Sequence, residues 1–129
     1  MYRYPGHPNS GIGDFEVVVH EDRLHLFHLL PACHDLVGHL VSDDGLTWQE
    51  LPIALRVGDP GEFDDDQIWT MGIFRHDGKF FMLYTGKKLS ERGRVERTGL
   101  AVSSDLVNGE NHAQNPVAEP DARGDVAAD

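Results

Sequence analysis

Positive charge is scarce in these 129 residues: 11 Lys and Arg stand against 22 Asp and Glu, a formal net charge of −11. No basic cluster is present to follow a phosphate backbone, which argues against nucleic acid and against an anionic membrane surface as partners. Cysteine is nearly absent, and with Cys33 alone the chain has no intrachain disulfide framework. No apolar run approaches the ~20 residues needed to cross a bilayer. The opening MYRYPGH lacks the basic-then-apolar order of a secretory signal, so the expected compartment is the cytoplasm. Long amphipathic periods are missing too, and no helix of ordinary length is expected. What is left is enough chain for one domain with a real core, its Leu, Val, Ile, Phe, Tyr and Trp gathered in short runs.

The most informative stretch is EFDDDQIWTMGIFRHDGKFFMLYTG, Glu62 to Gly86. Asp64, Asp65 and Asp66 stand at the mouth of a strand, and His76-Asp77-Gly78 turns that strand into the next. Asp-Gly between apolar runs is a strong local hairpin signal. The pattern has a partner earlier in the chain. HEDRLHLFHLL from His20 matches HDGKFFMLYTG from His76 at an offset of 56, and GHLVSDD from Gly38 matches GLAVSSD from Gly99 at an offset of 61. Two matched blocks in one order predict one supersecondary unit used twice.

In chain order, a Gly- and Pro-rich lead-in ends at Gly13, and Asp14 precedes FEVVV, the first expected strand. In LHLFHLL the period of two puts Leu24, Leu26 and His28 on one face and His25, Phe27 and Leu29 on the other. The two histidines therefore cannot ligate one metal as a simple pair, and they read as core or hydrogen-bonded residues. A third strand runs from Leu36 to Val41, and SDDGLTW is a side-chain-stabilised turn similar to the Asp-box of sialidase-type propellers. An outer strand follows from Glu50 to Ala54, then the 62–86 hairpin, a charged connection KKLSERGRVER, and a strand from Thr98 to Ser103. Beyond Leu106 the strand signal fades into a tail rich in Asn, Pro, Ala and Asp. The expectation is an all-β fold of two antiparallel sheets, each of three to four strands, with an arm over 1–13, units over 14–60 and 61–110, and a loose tail over 111–129.

LHLFHLLP followed by GHLVSDDGLTWQELPIAL, then FDDDQIWTMGIFRHDGKFFMLYTG, GLAVSSDL and NPVAEPD resemble in order the N-terminal part of a five-bladed β-propeller glycoside hydrolase. The family is the clan of invertases, levansucrases, arabinanases and related furanosidases. The resemblance runs from Tyr4 to Asp121, and it makes the two units the first two blades of an incomplete propeller.

What the resemblance implies is a funnel at the propeller axis holding three acids. Its nucleophile or base falls on Asp14, and the sugar-lining positions of the second blade fall on Asp65, Trp69 and Thr70, with Asp14 facing Asp65 and Trp69. The family's Thr-Gly-Ser reads Thr70-Met71-Gly72 here, so a pocket hydroxyl is lost, and the Trp after its second turn is replaced by Gly109. No Arg-Asp-Pro occurs. Glycosidic hydrolysis requires two acids, and Glu21, Glu62 and Glu110 read as solvated loop residues rather than as the second.

The implied activity is hydrolysis of O-glycosidic bonds in fructofuranoside or arabinofuranoside oligosaccharides, incomplete in this chain alone. The alternative is a non-catalytic carbohydrate-binding or structural module. A Ca²⁺ site at Asp64 to Asp66 is less favoured, because adjacent strand residues point alternately and the spacing is not that of an EF-hand; a solvated acidic loop explains the run more simply. No cofactor or metal is expected. The expected partners are an oligosaccharide and either a second copy or a complementary chain, since two open blades leave apolar faces uncovered.

Overall fold

The computed structural model describes residues 11–31 and 33–121. The first part of the expected arm and the end of the expected tail lie outside the described residues. Eight strands form two four-stranded antiparallel sheets, each in simple sequential order. The first sheet holds β1 (Phe15–His20), β2 (Arg23–Leu29), β3 (Leu36–Ser42) and β4 (Gln49–Arg56). The second holds β5 (Gln67–His76), β6 (Lys79–Lys87), β7 (Glu96–Ser103) and the short β8 (Gly109–Asn111). Among the described residues the one helical element is a 3₁₀ turn, Leu89–Glu91. The all-β expectation holds, and the architecture is that of two propeller blades. The faded signal after Leu106 still yields β8, paired over three residues to β7.

The repeat is physical, not only textual. Each sheet opens with a two-residue hairpin whose central residues both have positive φ: Glu21 (51°) with Asp22 (60°), and Asp77 (49°) with Gly78 (73°). That geometry suits the right-handed twist of the flanking strands. Each sheet then carries the same side-chain-built turn between its third and fourth strands. Ser42 Oγ accepts from Gly45 N–H, and Asp44 Oδ1 accepts from the N–H groups of Leu46 and Thr47. Ser103 and Asp105 do the same for Leu106, Val107 and Asn108. These backbone donors hold both Asp44 and Asp105 below the usual carboxylate pKa. At the position where Gly45 has φ 78°, the second turn has Leu106 at φ 68°. Leu106 bears that unfavourable conformation while burying its side chain in the core.

The front face of the first sheet packs on the back face of the second. Phe27, Leu29, Val37 and Leu55 meet Ile68, Met71, Phe80, Met82, Tyr84 and Leu106 in one continuous core. A buried histidine pair sits on this front face: His25 Nδ1 lies 2.9 Å from His39 Nε2, and His39 stacks on Phe27 with ring centroids 4.1 Å apart. One ring donates to the other, and burial lowers the pKa of both, which favours the neutral pair in the folded form. Burial, and then the neighbouring His25 and His28, push His39 down to about 4. A depressed histidine stabilises the fold above its unfolded pKa, and the benefit is lost as pH falls toward the folded value. Between pH 6.5 and 4 this group should cost about 3 kcal/mol. Asp64, raised by burial, works in the opposite direction, so the contribution of His39 is read as a difference. Urea midpoints of wild type and His39→Leu should converge as the pH is lowered from 7.5 to 4.5. Parallel curves would remove His39 from the acid response.

Candidate functional site

The first strand of each sheet begins at the same end of the molecule, and the residues at the two starts meet. Asp14 precedes β1 and stays in register with β2, its carbonyl accepting from Leu29 N–H at 3.0 Å. Its repeat counterpart at the offset of 56 is Thr70, in β5. Between Trp69 and Met71 the pairing of β5 with β6 slips by one residue, which leaves Thr70 as the extra residue of a β-bulge. Bulges re-aim side chains beside sites. Here Thr70 Oγ1 donates to Asp14 Oδ2 at 3.3 Å. Both residues are exposed, and they line an open depression with Ile12, Gly13, Phe15, Glu16 and Met71. Each blade thus contributes one residue, Asp14 just before β1 and Thr70 within β5, to one wall.

Asp65 and Trp69 are placed otherwise than facing Asp14. Both carboxylate oxygens of Asp65 are committed to backbone: Oδ2 accepts from Gly61 N–H and Oδ1 from Leu89 N–H, each at 2.8 Å. Those donors lower its pKa, and the residue ties the loop before β5 to the one after β6. The ring of Trp69 is covered. His34 stacks on it with centroids 3.8 Å apart and an interplanar angle of 11°, and the Lys87 ammonium sits 4.4 Å from its centroid. One ring fills one face, so the cation takes the other. Trp69 Nε1 donates to Gln67 at 2.8 Å. Of the three second-blade positions, Thr70 alone is hydrogen-bonded to Asp14.

The solvated-loop reading of the acidic run is corrected for Asp64, which is 1 % exposed and accepts from the Tyr84 hydroxyl at 2.9 Å. Burial raises its pKa, and the pairing raises that of Tyr84 further. Among the described residues no group of three His, Cys, Asp or Glu side chains is placed to hold a metal ion.

A family model described as Glycosyl hydrolases family 32 N-terminal domain matches residues 16–128. The chain belongs to that family. Solved glycoside hydrolases share its fold. Zg3597, a family 117 glycoside hydrolase from Zobellia galactanivorans, is similar with a TM-score of 0.74 and 21 % identity over 92 % of this chain and 37 % of its own. Fructan 1-exohydrolase IIa from Cichorium intybus gives 0.70 and 23 %, over 88 % of this chain and 23 % of its own. A GH43 β-xylosidase/α-arabinofuranosidase from a compost microbial metagenome gives 0.66 and 15 %, over 82 % and 36 %. The chain therefore spans well under half the length of these structures.

For a family 32 domain the site holds one residue that the motifs did not single out. Glu16 is two residues beyond Asp14 on the same strand face, half-buried, and lines the same depression. The available signal was the period of two, which puts Asp14 and Glu16 on one side of the strand. The two carboxylates therefore face the depression from the same side. The acid and base of a glycosidase flank the bond, so Glu16 adds negative field to the wall but does not complete the pair.

Proposed function

We propose that this chain forms the inner wall of a glycoside hydrolase that cleaves fructofuranoside or arabinofuranoside oligosaccharides. The observation that carries the reading is the convergence of Asp14 and Thr70 from the two inner strands on one exposed depression. Asp14 acts at the anomeric centre as nucleophile or base, and the Thr70 hydroxyl fixes its carboxylate. Asp14 and Glu16 together place negative charge where an oxocarbenium-like transition state develops positive charge. The acid that protonates the leaving oxygen comes from across the depression, outside the described residues. One similar structure is named a fructan 1-exohydrolase and another a β-xylosidase/α-arabinofuranosidase, and the first and the second of the latter's two activities support the furanoside class here.

A second reading is a carbohydrate-binding module without turnover. It is favoured by the absence of an Arg-Asp-Pro motif and by Gly72 at the last position of the family's Thr-Gly-Ser, where a pocket hydroxyl is lost. A screen of the purified chain against sucrose, inulin-type fructans, aryl arabinofuranosides and aryl xylosides separates the two. Hydrolysis of furanosides ahead of xylosides is the expected result, at a very low rate because the wall supplies only one of the two acids. Saturable fructan or arabinan binding without product would establish the module instead, and absence of both would sink the carbohydrate assignment.

A further inference from the structure

The extra residue of a bulge has no partner across the ladder, so the aim of Thr70 depends on what holds its neighbours. On one side Met71 is sunk in the core. On the other the hold comes from His34, in the connection from β2 to β3, a residue that the motifs did not single out. His34 takes both backbone groups of Ile68. Its carbonyl accepts from Ile68 N–H at 2.6 Å, and its Nδ1 donates to the Ile68 carbonyl at 3.3 Å. A carbonyl oxygen only accepts, so Nδ1 carries a proton. The same imidazole lies flat on Trp69, whose opposite face is closed by Lys87. Lys87 is held in turn, its ammonium 3.1 Å from the Glu96 carboxylate. The two residues before the bulge are therefore fixed by one residue of the first blade, Ile68 through its backbone and Trp69 through its ring.

We propose that His34 is a positioning residue, which clamps Ile68 and Trp69 and so aims the Thr70 hydroxyl at Asp14. The clamp and its target hang from one support. Asp14 is held by its carbonyl to Leu29 N–H, and His34 donates its own N–H to the Leu30 carbonyl at 2.8 Å. Leu29 and Leu30 are adjacent and fully buried, at 1 % and 0 % exposure. The first blade thus carries the carboxylate and, a few residues on, the group that orients the hydroxyl bonded to it. Little slack is available, because the Thr70 to Asp14 bond at 3.3 Å is already at the long end of its range. His34 itself has φ 52°, a conformation that histidine and asparagine tolerate better than most residues. The catalytic value of the clamp rests on the function proposed above; the clamp does not.

His34→Asn removes the ring and keeps a residue suited to positive φ. Trp69→Leu removes the other half of the stack and carries the same test should the first variant fail to fold, which circular dichroism reports. The decisive readout is the side-chain rotamer of Thr70, from three-bond NMR couplings to its methyl carbon. The wild type should show one χ1 state, and each variant should average over several. In a Trp48→Phe background Trp69 is the sole indole, and its emission should shift to the red in His34→Asn as one face opens to water. Furanoside hydrolysis by His34→Asn should fall about tenfold in kcat with KM little changed, as for Thr70→Val. The double variant should be no slower than Thr70→Val alone. A single Thr70 rotamer surviving in the variants would overturn the proposal. So would losses that multiply to about a hundredfold in the double variant, since His34 would then act by a route that bypasses Thr70. Averaged couplings with hydrolysis unchanged, or absent from the wild type, would leave the clamp standing and remove the catalytic reading of Asp14 and Thr70.

Discussion

Asp14→Asn is expected to lower furanoside hydrolysis at least about a thousand-fold, as removing a nucleophile or its base does, while unfolding stability stays within about 0.5 kcal/mol. The two halves of that expectation come from different facts. The carboxylate is exposed, and its side-chain bond runs to a hydroxyl that is itself exposed, so little folding energy depends on its charge. Asn keeps the size and can still accept from Thr70, but it neither attacks an anomeric carbon nor deprotonates water. Thr70→Val is the graded comparison. It removes a long hydrogen bond that orients the carboxylate, so kcat should fall about tenfold with KM little changed. Turnover that survives Asp14→Asn would take Asp14 out of the mechanism, and a large loss of stability would recast it as a residue of its own turn.

The fold was legible in the sequence because its signals are local. Asp77-Gly78 announces a hairpin by itself, and the matching Glu21-Asp22 turn was recovered from the repeat although Glu21 does not favour positive φ. Ser42 and Asp44 close their turn with their own side chains, and Ser103 and Asp105 repeat it two blocks later. Asp14 could be placed because it stands directly before a strand. The rest depended on contacts made at a distance. A bulge at Thr70 leaves no composition signal, yet it decides which second-blade side chain reaches Asp14. Trp69 looked free to stack on a sugar; His34, 35 positions earlier in the sequence, covers one face. Asp64 looked as solvated as its two acidic neighbours. It is buried because Gly58 and Gly86, from separate segments, leave room against its side chain, and Tyr84 supplies the donor that makes burial tolerable. Asp64 and Asp65, adjacent in sequence, thus have different environments for reasons spread over about 30 residues of chain.

That same space around Tyr84 makes Gly99 the position where one methyl group should do the most damage. A Cβ at Gly99 would run into Cζ of Tyr84, and would lie 2.6 Å from Phe63 Cζ and 2.7 Å from Tyr84 Oη. Tyr84 is 1 % exposed, so its ring has nowhere to retreat except away from Asp64. Retreat would stretch the one side-chain hydrogen bond given to a buried carboxyl group. Overpacking of this kind costs ~1–3 kcal/mol, and a weakened bond to a charged group ~1.5–3, so Gly99→Ala should cost about 3 kcal/mol or more in urea unfolding. The cause can be separated from a simple intolerance of alanine in β7. In a Tyr84→Leu background the ring and its hydroxyl are gone, and the added methyl group has room. Gly99→Ala there should cost less than about 1 kcal/mol, a coupling of roughly 2 kcal/mol between the two positions. Equal costs in both backgrounds would show that the strain lies in the β7 backbone and not beneath Tyr84.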